Sequence, residues 1–277
     1  MTFNRLQSFE SLESRRLLSA SVRSGDTLRI SGDSGVDNVI TLAPTADGDS
    51  VVVTINGEVE TVSLNKVKKV RIAGSSGRDE IRVDETNHLF EVFTSIETFG
   101  GNDFVVCGSE KDYVYAGDGN DTVRVGNGRN KAFGEAGNDH LTGGEDRDLL
   151  VGGAGNDQIE GGDARDEITG DKGNDVLYGG DAADLIMGGG GNDLIFGEAG
   201  RDVLVGQDGN DTLSGGSDSD ELFGNAGDDN LDGGPDRDTL WGGDGNDVLT
   251  TGGGGGKTHS GEFDGIEIFL REIRPAI

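Results

Sequence analysis

From Val105 to Leu249 one apolar residue returns every ninth position, and the residues between are mostly Gly, Asn and Asp. The series begins Val105, Val114, Val123, continues through Leu141, Ile159, Ile186 and Leu213 to Leu249, and has Ala132 as its only small member. Aligned on it, residues Thr98 to Thr250 divide into 17 consecutive units of the form G-G-x-G-x-D-x-U-x, U being apolar, without an insertion. One unit cannot bury its own apolar side chain, so a period this short predicts a solenoid in which units stack on one another. The last three residues, x-U-x, predict a short strand whose middle side chain points inward, and the six before them a turn.

The turn carries the candidate chemistry. Its sixth position is Asp103, Asp112, Asp121, Asn130, Asp139, Asp148, Asp157, Asp166, Asp175, Asp184, Asp193, Asp202, Asp211, Asp220, Asp229, Asp238 and Asp247 in order. Glycine permits the positive φ that lets turn carbonyls converge, and the aspartate adds a carboxylate to those oxygens. Oxygens without thiol or imidazole suit a hard cation, and flexible many-ligand geometry favours calcium over magnesium. Units such as Gly152 to Glu160 (GGAGNDQIE) and Gly242 to Thr250 (GGDGNDVLT) resemble the hemolysin-type calcium-binding repeats of the RTX family, and the resemblance covers 153 of 277 residues. It implies an all-β chain built as a right-handed parallel β-roll, two units per coil, with multiple calcium ions between stacked turns on both edges.

Two units per coil put odd and even units on opposite edges, and the two sets differ. In odd units the fourth position is always glycine, namely Gly101, Gly119, Gly137, Gly155, Gly173, Gly191, Gly209, Gly227 and Gly245. Even units place Glu110, Asp146, Ala164, Ala182, Asp218 or Asp236 there in six of eight cases. They are followed by a basic residue in six of eight: Lys111, Arg129, Arg147, Arg165, Arg201 and Arg237. The true period is therefore 18. Ala is strained where glycine holds positive φ, so the odd edge is expected to hold the stronger calcium sites and a guanidinium column to neutralise part of the even edge. The alternative is that these arginines only face solvent and both edges bind equally. About 8.5 coils at roughly 4.8 Å give a rod on the order of 40 Å long, with gaps for up to about 15 ions.

The flanks are less regular. Residues 1–20 read as a leader or targeting segment, with FESLESRRLLSA resembling a motif at the N-terminus of some large bacterial secreted or surface proteins. Residues 21–97 read as an irregular β-rich N-terminal cap, either the start of the solenoid or a small separate β unit. Strands are expected at Thr27 to Ile30, Val51 to Ile55, Val59 to Leu64, Val67 to Ile72 and Glu80 to Val83. Two degenerate repeats, GDSGVDNVI from Gly32 and GSSGRDEIR from Gly74, place Asp37 and Asp79 in turns, where solvated side chains are the expectation and calcium ligation the alternative. Residues 98–250 form the roll, and 251–277 a Gly-rich link and short C-terminal cap carrying Phe263, Ile266, Ile268, Phe269, Leu270 and Ile273. RTX proteins usually carry a longer C-terminal export signal, which puts type I secretion in doubt.

Composition narrows the function. With 51 glycines and a net charge of −30, the chain is unsuited to nucleic acid or an anionic membrane and suited to cations. No apolar run approaches the ~20 residues of a membrane helix. Carboxylates about 5 Å apart repel by roughly 0.8 kcal/mol even in water, so the stack is opposed until calcium cancels the charge and binding free energy becomes folding free energy. Cys107 excludes an internal disulfide by being alone, and it reads as a small residue near the roll surface. Many GxGxxG strings arise from the repeat itself, Gly252 to Thr258 misses a P-loop glycine at Thr251, and no loop closes like an EF-hand. The preferred function is a non-enzymatic, extracellular or cell-surface calcium-binding module with a structural or adhesive role. The alternative is a calcium-dependent extracellular enzyme or accessory module, epimerase-like on polyuronates or attached to a hydrolase. Outward positions of the even strands are apolar in 11 of 16 cases against seven of 18 on the odd strands. That face predicts a cell-surface or matrix partner, self-association, or a docked terminal segment.

Overall fold

The computed structural model describes residues 19–23, 26–84 and 92–260. Among the described residues every regular element is a strand, and the strands form two sheets of 13. One sheet gathers the even units and the other the odd ones. Within the array every neighbouring pair is parallel and offset by 18 residues, as in Leu150↔Ile168↔Ile186 on the even sheet and Leu141↔Ile159↔Leu177 on the odd. The chain is thus a parallel β-roll. The apolar eighth positions from Val105 to Leu240 are fully buried between the sheets, which is why one apolar residue in nine suffices.

Four array strands, such as Thr122–Arg124, keep the three-residue length of x-U-x, and the others are longer. Leu149–Ala154 and Val203–Asp208 each span six residues, because the first three turn residues keep pairing with the neighbouring coils, for instance Gly153↔Asp171, even though the second of them turns to positive φ.

The solenoid begins well before Thr98. Thr27–Ser31, Lys69–Ser75 and Phe93–Phe99 extend the even sheet in parallel, while Val39–Pro44 and Glu80–Val83 extend the odd one. Residues 26–84 are therefore the start of the roll and not a separate β unit. Antiparallel strands end both sheets here: Ser19–Arg23 on the even one, and on the odd one the hairpin of Ser50–Ile55 and Glu58–Ser63, whose Asn56-Gly57 turn has φ of 51° and 86°. Such reversal shields the first coil without leaving a parallel strand as the outer edge. At the other end Lys257–His259 pairs in register with Thr239–Trp241, with Thr258, itself exposed, opposite the core residue Leu240 and Gly256 where the carboxylate would be.

Two expectations need correction. Cys107 is 6 % exposed and belongs to the core with Ala116 and Val125, because the first residue of these early units faces inward. Asp79 is fully buried, not solvated, while Asp37 is exposed. The leader reading of residues 1–18 and the cap residues Phe263, Ile266, Ile268, Phe269, Leu270 and Ile273 lie outside the described residues.

Candidate metal sites

Stacking brings the sixth-position carboxylates into one column on each edge. Each aspartate from Asp103 to Asp238 is at most 3 % exposed. Its Oδ1 accepts the backbone N–H of the equivalent residue one coil earlier, as Asp157 does from Asp139 at 2.8 Å and Asp166 from Asp148 at 2.7 Å. The other oxygen is left alone. Among the described residues 14 Oδ2 atoms are buried without a hydrogen-bond partner: eight on the odd edge from Asp103 to Asp229, and six on the even edge from Asp148 to Asp238.

The one asparagine in the column shows what those oxygens face. Asn130 places its Nδ2 2.9 Å from the Gly126 carbonyl oxygen and 3.2 Å from that of Asn127, with the Val125 carbonyl at 3.5 Å. An amide N–H₂ thus occupies the spot where an aspartate would aim Oδ2 at the carbonyls of its own turn. In the aspartate turns, oxygen meets oxygen with no proton between. The first-position glycine keeps that spot open: a methyl group on Gly134 would fall within 3 Å of both Asp139 Oδ2 and the Gly152 carbonyl oxygen.

Burial makes the charged form expensive, so these carboxyls titrate far above the usual aspartate range. Desolvation is the largest cause throughout, opposed by the backbone N–H on Oδ1. It pushes Asp157 up to about 6, Asp139 and Asp175 to about 7 and Asp184 to about 8. On the odd edge Asp157 and Asp193 push Asp175 further up. On the even edge Arg147 holds Asp166 down somewhat and Arg165 does the same for Asp184. Arg165 is itself solvent-exposed.

The edges also differ in backbone. Fourth-position glycines of the odd edge have φ between 118° for Gly101 and 145° for Gly155, a range that Gly200 on the even edge shares at 138°, whereas the non-glycine residues Ala164, Ala182 and Asp218 of the even edge sit at 67°, 79° and 78°. The first range belongs to glycine alone, while the second is the left-handed helical region that other residues enter at modest strain.

Four early turns satisfy themselves. Asn38, next to the sixth-position Asp37, enters the odd ladder by donating its N–H to Asp79 Oδ1, and its side-chain amide reaches the Asp33 and Val36 carbonyls. Asp79 Oδ2 takes the Ser75 N–H at 2.5 Å, Asp112 Oδ2 takes the Gly108 N–H at 3.2 Å, and Asn130 completes the set. Asp247, in the last aspartate turn, is half-buried. The repeat identified the columns and singled out Asn130, but it did not show that Asn38, Asp79 and Asp112 satisfy their own turns; a first-position side chain is no signal of it, since Gly32 and Gly74 open two of these turns while Thr98 and Ala116 open turns that leave Oδ2 alone.

Every converging atom is an oxygen, and among the described residues no three His, Cys, Asp or Glu side chains cluster as a ligand set. One carboxylate per turn surrounded by carbonyls fits a hard divalent cation. A family model described as the RTX calcium-binding nonapeptide repeat matches residues 97–132, 126–159, 160–195, 187–222 and 223–256, more than half of the chain. No curated protein matches the sequence.

Proposed function

The chain belongs to the RTX calcium-binding nonapeptide-repeat family, and from that premise we propose that it is an extracellular or cell-surface rod that folds on binding calcium and serves a structural or adhesive role. Its repeats bind multiple calcium ions. The observation that carries the rest is the set of 14 buried carboxylate oxygens with no proton donor. A buried polar atom left unsatisfied costs about 1–3 kcal/mol, more when charged. Fourteen of them amount to at least about 14 kcal/mol, near the top of the ~5–15 kcal/mol by which whole domains are stable. A roll with these turns empty and ionised is therefore opposed by its own edges.

Bound calcium supplies the positive charge that these oxygens lack. The ligands on this chain are Oδ2 of each orphaned aspartate and the carbonyls of the first three residues of its turn. Oδ1 stays with the backbone N–H of the neighbouring coil, so each aspartate links two coils while holding an ion. Extracellular calcium modules work at Kd of about 10⁻⁴–10⁻³ M, and weak sites of that kind keep such a chain unfolded where calcium is scarce and fold it outside the cell. We assign the calcium roll to residues 98–250, its start to 21–97, a leader to 1–20 and a closing segment to 251–277. We read the protein as non-enzymatic: among the described residues no three His, Cys, Asp or Glu side chains cluster as a ligand set, and His140, 3.6 Å from Glu160, and His259, stacked on Trp241, lie in surface contacts on different strands.

A calcium titration followed by far-UV circular dichroism, with magnesium as control, tests the reading. We expect a cooperative coil-to-β transition near millimolar calcium that magnesium does not reproduce. A chain with full β-structure in chelator would refute calcium-driven folding.

A further inference from the structure

The outer face of the even sheet carries one row of side chains stacked in register, from Tyr115 and Phe133 through Val151, Thr169, Met187, Val205 and Phe223 to Trp241 and His259. All point away from the core and have like neighbours in the sheet. Their burial nonetheless differs. Tyr115 is 38 % exposed, while Met187, Val205 and Phe223 are 1 %, 0 % and 1 % exposed and form an apolar cluster separate from the core, with Val203 and Trp241 packed against it. In-sheet stacking is the same along the row, so it cannot account for the difference; these three are covered from outside. Among the described elements, the strands Leu185–Gly190, Val203–Asp208 and Glu221–Ala226 make their substantial contacts with sheet neighbours and with the odd strands of adjoining coils, which lie on the core side.

We propose that the cover is the chain's own C-terminal segment, residues 261–277, laid back along the outer face of the even sheet over Trp241, Phe223, Val205 and Met187. Position favours it. His259, in the last strand of this sheet, stacks on Trp241 with ring centroids 5.3 Å apart, and Trp241 stacks on Phe223 at 4.4 Å, so residue 261 starts at the margin of the patch. From there to Met187 is four strand spacings, roughly 20 Å, within reach of 17 residues in any conformation. The segment before Ser19 starts at the opposite end of the same sheet, eight spacings or roughly 40 Å from Met187. Sequence favours it too, since Phe263, Ile266, Leu270 and Ile273 recur at three- and four-residue intervals and give one apolar stripe to match one apolar row. The docked segment would tie together four of the last coils, so folding of the C-terminal half would depend on residues outside the repeats.

Trp241 is the chain's one tryptophan, and it reports on the patch. Acrylamide quenching of the full chain in saturating calcium should show it shielded. Combined Ile266→Asp, Phe269→Asp and Leu270→Asp should raise the quenching constant several-fold with the β-roll circular dichroism retained. Combined Phe3→Asp, Leu6→Asp and Phe9→Asp should leave it unchanged. Unaltered quenching in the tail variant, loss of shielding in the N-terminal variant instead, or shielding that vanishes on dilution with a dimer in sedimentation, would each overturn the proposal. Should the tail variant fail to fold, a photo-crosslinker at position 269 of the otherwise unchanged chain decides: adducts within one chain at Met187, Val205 or Phe223 support docking, and adducts elsewhere or between chains refute it.

Discussion

The coils before Gly134 and those after it have the same roll shape and reach it by different chemistry. Up to Asn130 six residues occupy ladder positions: the Asn38 and Asn130 amides donate to carbonyls of their own turns, Asp79 and Asp112 accept a backbone N–H on Oδ2 from Ser75 and Gly108, and Asp103 and Asp121 leave Oδ2 alone. First positions carry side chains in the four of these units that belong to the unbroken array, Thr98, Cys107, Ala116 and Val125, and are Gly32 and Gly74 in the two before it. From Gly134 onward every first position is glycine and all twelve aspartates from Asp139 to Asp238 leave Oδ2 alone. The early coils also hold a broader core, including Leu28, Ile30, Val70, Ile72 and Ile96. The difference teaches that the β-roll backbone needs its turn oxygens satisfied and does not specify by what. A protein amide serves at the start of the rod and a cation along the rest.

The largest effect should come from removing calcium. Twelve unsatisfied carboxylates represent on the order of 12 kcal/mol or more, so coils after Gly134 should lose amide protection in chelator. Strands such as Lys69–Ser75 and Phe93–Phe99 should keep theirs. Hydrogen exchange read by mass spectrometry, with and without calcium, separates the two regions; equal loss along the whole chain would erase the distinction.

Acid should act on both states with opposite signs. Unfolded aspartates titrate near 3.8, whereas in the metal-free roll Asp139 titrates near 7 and Asp184 near 8. Because the folded values are raised, their contribution to metal-free stability is fully present below the unfolded value and is lost as pH rises through about 6 to 8. Calcium needs the ionised form. We therefore predict that lowering pH from 8 to 5.5 increases β-structure in chelator and raises the calcium concentration needed at midpoint. A metal-free chain that loses β-structure over this range would contradict the raised carboxyl values.

Backbone strain should separate the edges. Gly155 has φ of 145°, and a Cβ there would fall on the Gly137 carbonyl oxygen, so Gly155→Ala should destabilise the calcium-loaded roll by about 3 kcal/mol. Its even-edge counterpart Ala164, at φ of 67°, already carries a Cβ, and Ala164→Gly should change stability by less than about 1 kcal/mol. Equal thermal shifts for the two would mean that the turn shapes interconvert. The amide rule is sharpened by a reciprocal pair. Asn130→Asp should add one calcium ion in native mass spectrometry and destabilise the metal-free early coils by about 1–3 kcal/mol, while Asp157→Asn should remove one ion. An unchanged count in both would show that the Asn130 contacts do not mark an ion position.

Much of this was legible in the sequence because the repeat has no insertions. The eighth positions named the core, the sixth the carboxylate columns, and the odd and even fourth positions the 18-residue period that the strand register shows. What escaped depends on single events. Asp79 looked like a solvated turn residue because GSSGRDEIR stands apart from the array, yet 24 residues separate it from Asp103 and the ladder spans the gap, Asp79 N–H reaching Asp103 Oδ1 at 2.6 Å. Asn38 escaped because it adjoins the aspartate that the pattern selects. The inward turn of Cys107 was hidden by treating the first position as glycine, although Cys107, Ala116 and Val125 together spell an apolar row. The apolar outer face of the even strands was legible, but the near-complete burial of Met187, Val205 and Phe223 within it was not, because a nine-residue pattern does not say which part of that face is covered.

The smallest expected effect concerns the arginine column. Arg165 is exposed and acts on Asp184 across the turn surface, and such pairs contribute below about 1 kcal/mol. Its removal has two consequences of opposite sign. Without the guanidinium the even-edge carboxylates repel more, so Arg129→Gln, Arg165→Gln and Arg201→Gln combined should lower β-structure in chelator. The same change removes positive charge beside the ion positions, so calcium should bind the even edge more tightly and the titration midpoint should fall. Salt separates this account from a change in packing, since screening at about 1 M compresses the Debye length to about 3 Å and should abolish both differences. If the triple variant titrates like the parent chain at low salt, the arginines serve only solvation, and the two edges differ through the shape of their turns alone.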